Sequence, residues 1–368
     1  MDKKTRNIIV IGVISVFSFF ALFGFFKVAH APFQEIIKKL AIQRDERVVV
    51  ANSRLPEVSE EKPIEFIFGG DVMLSRQVNK KMESYNNYVW PFLKIADYLK
   101  RADLTVVNLE SPFVITKDYS VQTGSFLFKV NPKAITGLLS AGIDLVSLAN
   151  NHSFNQGSEG LADTFKILND NGIKYIGAGK NEDEARRGEV VEINNQKFGF
   201  LAYAYPEDNS VAGANTAGIA DMDLKKMKSD VERLKKEVAT VIVEMHAGVE
   251  YTTKPNEQQT IFARAAIDAG AAAVIGHHPH WPQTFEFYKG QPIIYSLGNL
   301  IFDQMWSKET QQGMLVKMVW NNNSWERVEF VPIKIYDYGQ AELMPAGAEK
   351  NAILKKIGAP EDGVIRGK

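Results

Sequence analysis

EQQTIFARAAIDAGAAAVIGHHPH, residues 257–280, holds the pattern from which the rest of the chain can be read. Residues 257–269 carry a helical pattern that ends at Gly270. Residues 272–275 then form a short apolar run without polar alternation, the mark of a strand covered on both faces. The run stops at Gly276, and His277, His278 and His280 follow at once. In open α/β sheets the space beyond a strand's C-terminal end is where ligands bind.

The same grammar repeats in both directions. Apolar, strand-like runs occur at residues 64–68, 105–109, 144–148, 174–176, 198–202, 240–245 and 293–297. Helical patterns at 91–102, 132–141, 158–171 and 224–237 fall between several of them. This alternation predicts an α/β domain with buried, largely parallel strands. Residues 284–288 and 314–331 look like strands without intervening helices, which predicts hairpins and a mixed second sheet. The folded domain is expected over 63–335, with a weakly patterned C-terminal tail at 336–368.

Composition narrows the classes. The 368 residues contain no cysteine, which excludes disulfides, thiolate metal sites and a cysteine nucleophile. Residues 1–62 carry ten Lys/Arg against seven Asp/Glu, and the remainder has a formal net charge of −4. An acidic folded part argues against binding nucleic acid through its phosphates. Residues 8–26 (IIVIGVISVFSFFALFGFF) are free of charge. As a helix they span about 28 Å, close to the hydrocarbon thickness of a bilayer. Lys3, Lys4 and Arg6 precede the run, which favours that end inside, although Lys38, Lys39, Arg44 and Arg47 dilute the asymmetry. A cleaved signal peptide is the rival reading, since Ala29-His30-Ala31 has the form of a cleavage site. Against it, Pro32 follows and the apolar run is longer than usual. The expectation is a short cytoplasmic N-terminus (1–7), an uncleaved transmembrane signal anchor (8–26) and a stalk (27–62), on a single-pass protein of the cell membrane with its C-terminal domain outside.

Polar residues gather at strand ends. Five of six histidines lie in three such segments: His152, His246, and the group His277, His278 and His280. Asp71 follows the first strand and its Gly-Gly; Asn108 and Glu110 end the second; Asn150, Asn151 and His152 follow the third. Carboxylate, amide oxygen and imidazole at several strand tips can converge on one or two divalent cations. Singly, each has a plainer reading: Asp71 as a helix cap, Asn150-Asn151 as a turn. Together they predict a metal or anion site.

Six segments resemble the bacterial capsule-synthesis CapA family, including the PgsA-type component of poly-gamma-glutamate synthesis. They are GDVMLSR (70–76), VNLESP (107–112), ANNHSFNQG (149–157), MHAGVEY (245–251), GHHPH (276–280) and YSLGNLIFDQ (295–304), in the family's order. The resemblance implies a calcineurin-like metallophosphoesterase fold, a four-layer α-β-β-α sandwich with two mixed sheets, here preceded by one transmembrane helix. It further implies Asp71 and His280 on a first metal, Glu110 as bridge, and Asn151, His246 and His278 on a second. His152 is then the general acid or charge stabiliser, and Arg76 a binder of anionic oxygen. Glu250, Asn299 and Asp303, with Asn108 and Asn150, fall on the rim of the same pocket; for Asn299 and Asp303 a capping or turn role is the alternative. Three positions depart from the pattern. Met73 stands where a ligating His is usual, Glu110 where an Asp is usual, and Ala247 where a Trp is usual. Thioether is a poor partner for a hard cation, so one tight site for Mn, Zn or Fe is expected.

The functional expectation is a membrane-anchored accessory in the synthesis, export or attachment of an anionic surface polymer such as polyglutamate. Its partners are then that polymer, the membrane and membrane-bound polymer synthase subunits. Two alternatives stand: a metal-dependent cell-surface hydrolase of a phosphoester or amide, and a non-catalytic module that binds polymer or synthase.

Overall fold

In the computed structural model, residues 62–115, 126–205 and 210–367 are described. The first strands are β1 (Ile64–Val72), β2 (Leu104–Leu109), β3 (Leu145–Ser147), β4 (Lys174–Ile176), β5 (Ala178–Gly179), β6 (Glu189–Ile193), β7 (Gln196–Ala204) and β8 (Gly218–Ile219). There follow β9 (Thr240–His246), β10 (Ala273–His277), β11 (Phe285–Tyr288), β12 (Gln291–Ile294), β13 (Asn299–Ile301), β14 (Gln312–Asn321), β15 (Ser324–Tyr336), β16 (Gln340–Leu343) and β17 (Val364–Arg366). The helices are α1 (Arg76–Ser84), α2 (Ala96–Leu99), α3 (Ile135–Ser140), α4 (Gly157–Asp170), α5 (Glu182–Arg186), α6 (Leu224–Leu234), α7 (Glu257–Asp268) and α8 (Ala348–Ile357).

These elements build a mixed α/β domain with several sheets. One sheet has the order β16-β15-β14-β1-β2-β3-β4, with β13 on β1 and β17 on β15. Its β1–β2–β3–β4 run is parallel and its β14–β15–β16 run antiparallel. The second sheet, β11-β12-β10-β9-β7-β6, is parallel at its centre and antiparallel at both edges.

Side-chain alternation explains how the second sheet is covered. Phe198, Phe200, Ala202, Ile242, Ala273 and Ile275 join the apolar core that also contains Phe66 and Phe68 of β1. The alternate residues Leu201, Tyr203, Val241, Val243 and Val274 pack instead with Met227 and Val231 of α6 and Phe262 and Ala266 of α7. Each central strand is therefore buried on both faces, which is why it reads as a continuous apolar run.

Two glycines bring strand ends close enough to form the site. A Cβ on Gly70 would lie 1.9 Å from the Gly298 carbonyl oxygen, and one on Gly276 would lie 2.1 Å from that of Tyr295. Only glycine permits these backbone approaches. The β1 ladder also shifts register on either side of Asp71, which re-aims that side chain.

The sequence pattern at 91–102 is not one helix. Trp90–Phe92 form a 3-10 turn and α2 follows separately, because Trp90, Phe92, Ile95 and Leu99 must all reach the core. The segment 336–368 contributes β16, α8 and β17; Ile353, Leu354 and Ile357 are buried, and β17 extends the pairing of β15. No helix among the described residues is long and apolar enough to cross a membrane, and the run at 8–26 lies outside the described residues.

Candidate metal centre

Strand ends from both sheets meet at one place. Asp71 is near the end of β1, Asn108 near the end of β2 with Glu110 just beyond, and Asn150–His152 follow β3. His246 ends β9, His277 ends β10, and Asn299 opens β13. His278 and His280 hold φ of 96° and 57°, and Arg76 holds 49°. Non-glycine residues in this region cost about 1–3 kcal/mol each, so the surrounding contacts must impose them.

Asp71, Glu110 and His246 each offer one ligand atom, and the three atoms lie within 4.8 Å of one another. His280 Nδ1 is 3.3 Å from Asp71 Oδ2, and its Nε2 is 3.9 Å from Glu110 Oε1. His246 Nε2 lies 3.0 Å from Asn151 Oδ1 and 3.2 Å from His278 Nδ1. Asn108 is the hub: its Nδ2 donates to Asp71 Oδ1 at 2.8 Å and lies 3.2 Å from His246 Nδ1. His152 stacks on Phe128 at 4.0 Å, and its Nδ1 is 2.9 Å from Asn155 Oδ1. That oxygen also accepts from the Phe128 backbone, so His152 Nδ1 carries the proton. Its Nε2 lone pair is left 3.7 Å from Glu110 Oε1.

Electrostatics favour a cation here. Burial, then the charge of Asp71 and Glu250, push the Glu110 carboxyl well above its ordinary range. Burial alone would raise Asp71 too, but the His280 hydrogen bond and the charge of His277 and His280 outweigh it and hold Asp71 low. Burial pushes His152 and His278 down to about 4 and His246 well below the ordinary value, so these rings stay neutral. Glu110 Oε1 is buried without a hydrogen-bond donor. A buried, donorless carboxylate oxygen beside a second carboxylate and neutral imidazoles fits a divalent cation, which takes the place of the missing donor. Glu110, Asp71 and His246 are the residues to hold it, with Asn151, His278 and His280 within reach.

The other predicted residues do different work. Asn150 donates to Asn108 Oδ1 and the Leu109 carbonyl, and accepts from His152 N–H and Ser153 Oγ, so it shapes the loop. Asn299 Oδ1 lies 3.0 Å from His280 Nδ1, while its Nδ2 donates to Gln304 and the Thr310 carbonyl; it positions His280. Asp303 pairs with Arg76 and accepts from Gln77 N–H at 3.0 Å, fixing the start of α1. The Arg76 guanidinium lies 4.9 Å from the Phe128 ring centre and 5.5 Å from that of Phe302. Glu250 is half exposed, 4.0 Å from His280 Nε2. Met73 is buried in the apolar core, its Sδ accepting from Ser75 N–H.

Some contributors carried no clear sequence signal. Glu244 is one: it forms a buried pair at 2.6 Å, beneath Asp71, with His277, itself one of the strand-end histidines. Tyr251 and the exposed Trp306 lie 6.1 Å apart beside His280, with Trp281 6.2 Å from Tyr251. Aromatic residues after strand ends were the available hint, indistinguishable in sequence from core.

Comparison with known proteins places the chain in a family. The family described as "Bacterial capsule synthesis protein PGA_cap" matches residues 65–304. The capsule biosynthesis protein CapA of Bacillus anthracis is 29% identical over 327 residues, covering 86% of this chain and 77% of its own length. The PGA biosynthesis protein CapA of Bacillus subtilis (strain 168) is 31% identical over 300 residues, covering 78% and 75%. Among solved structures, a putative 5'-nucleotidase from Staphylococcus aureus is 15% identical, with a TM-score of 0.46 over 80% of this chain and 58% of that one. The match over residues 65–304, together with the Bacillus subtilis relative, shows that this chain belongs to the bacterial capsule synthesis protein family PGA_cap.

Proposed function

We propose that the protein acts in the synthesis, export or attachment of an anionic surface polymer such as poly-gamma-glutamate, through a single divalent-metal centre in a calcineurin-like α-β-β-α domain. Membership of the capsule synthesis family supports the pathway, and the names of the two Bacillus relatives agree with it. The observation that carries the site is the buried Asp71, Glu110 and His246 cluster, with Glu110 Oε1 lacking a donor. A bound Mn, Zn or Fe ion supplies positive charge and Lewis acidity toward an anionic oxygen. Arg76, fixed by Asp303 and flanked by Phe128 and Phe302, adds a second positive group nearby. Tyr251, Trp281 and Trp306 offer ring faces at the rim for the uncharged part of a polymer chain. The charge-free run at 8–26 supports a membrane anchor that holds the domain outside the cell, near membrane-bound synthase subunits.

A metal-dependent hydrolase of a phosphoester or amide is the second reading. It is favoured by His152, whose Nε2 lone pair faces Glu110 while Asn155 fixes the other nitrogen. That geometry suits accepting a hydrogen bond from a water at the centre and so orienting it.

The test is replacement of the chromosomal gene by Asp71→Ala or His246→Ala. Surface polyglutamate should fall severalfold, and purified variant protein should retain less metal by elemental analysis than the parent. Unchanged polymer in a strain whose variant has lost its metal would reject the link between centre and polymer.

A further inference from the structure

Behind Asp71 lies a pair of ionisable side chains that the ligand set does not explain. Glu244 of β9 and His277 of β10 are each 1% exposed, on the sheet face shared with Ile242 and Ile275. His277 Nε2 lies 2.6 Å from Glu244 Oε2, and because a carboxylate only accepts, this nitrogen donates. Its Nδ1 then faces Asp71 Oδ1 at 3.6 Å and has no hydrogen-bond partner; nor does Glu244 Oε1. Apolar residues at these two positions would continue the pattern of their strands without stranding buried polar atoms. The pair is costly as packing and is aimed at one carboxylate.

We propose that Glu244 and His277 are positioning residues for the metal centre: Glu244 fixes the His277 ring, and that ring, standing between two carboxylates as an ion-pair partner 3.6 Å from Asp71 Oδ1, keeps the Asp71 carboxylate in its ligating orientation. Asn108 at 2.8 Å and the His278 backbone N–H at 3.4 Å restrain the same carboxylate from other sides. Outer partners of this kind orient ligands, and losing one costs about 10–100-fold in metal affinity. The role depends on the centre taking a metal.

The test uses the full-length protein with Mn²⁺ and Co²⁺, comparing the parent with Glu244→Gln, His277→Gln and the double variant. Gln at 244 keeps the shape, so it should fold, but it offers His277 a neutral amide in place of the carboxylate and grips the ring less firmly; His277→Gln gives an independent second reading. Each single variant should raise the dissociation constant about 10–100-fold and shift the Co²⁺ absorption bands. The double variant should bind no more weakly than His277→Gln alone, because Glu244 acts through His277. Folded variants with the parent's affinity and Co²⁺ spectrum would overturn the proposal, as would additive losses in the double variant. A parent protein that takes up neither ion would overturn the metal reading itself and this role with it.

Discussion

Glu110→Gln separates a carboxylate kept for metal from one kept for the fold. Glu110 is fully buried, its Oε1 has no donor, and its ligand atom lies within 4.8 Å of that of Asp71. An amide of the same shape can donate toward Asp71 at any pH, whereas Glu110 can do so only while its raised carboxyl is protonated, so above the pH at which it ionises the swap removes a repulsion. An unsatisfied buried polar group costs about 1–3 kcal/mol, so in chelator the variant should be more stable than the parent by that order. For a domain of this size 1 kcal/mol moves the thermal midpoint by about 1–2 °C, giving a rise of roughly 2–5 °C. Metal should narrow the gap and, where the variant's advantage is below about 2 kcal/mol, reverse the ranking. At a concentration 100 times its dissociation constant, an ion stabilises the parent by about 2.7 kcal/mol. If losing the ligand weakens affinity about 100-fold, the same concentration gives the variant only about 0.4 kcal/mol. Thermal unfolding with chelator, then across a metal titration, reads both effects. A Glu110→Gln protein that is less stable than the parent in chelator, and responds to metal equally, would show that Glu110 serves the fold.

Acid should destabilise the metal-free protein. Burial holds His152 and His278 at about 4, below the ordinary 6.5, and holds His246 well below its ordinary value too. Between those values the unfolded chain binds protons that the folded chain refuses, so stability falls as pH drops from about 6.5 to about 4.5. Glu110, raised, runs the opposite way in this window, so Glu110→Gln should steepen the fall. Urea unfolding in chelator from pH 4.5 to 7 measures this, and a flat profile would contradict the buried neutral rings. Trp306→Ala should change stability by less than about 0.5 kcal/mol, since the side chain is 62% exposed. It should nevertheless weaken retention of polyglutamate at least ~5-fold if Trp306 is a binding anchor; equal retention on an affinity column would remove the rim from the polymer path.

What sequence could and could not show follows from where each residue's partners lie. Strands β7, β9 and β10 were legible because both faces are covered, so composition alone marks them. Helix α1 was not, because its buried residues are only Val78 and Met82 and its start has no side-chain cap from Ser75. Its first turn is held instead by Asp303, 226 positions from Gln77 along the chain. Strand β6 is half exposed and β17 only three residues long; both exist by pairing, with β7 and β15, which no local pattern encodes. The centre divides in the same way. Asp71, Glu110 and His246 could be found because strand ends converge by topology, whatever their neighbours. Whether an amide is a ligand or a brace depends on the atoms it faces. Asn151 meets His246, while Asn150, one residue earlier, spends its hydrogen bonds on Asn108 and the loop. Glu244 was hidden most completely. It sits inside TVIVEMH, where a strand pattern asks for an apolar side chain, and only the His277 ring on the neighbouring strand gives that carboxylate a purpose. A charged residue that breaks an otherwise apolar central strand is thus the one sequence signal that could have led to it, because burying it without a partner costs more than a fold tolerates.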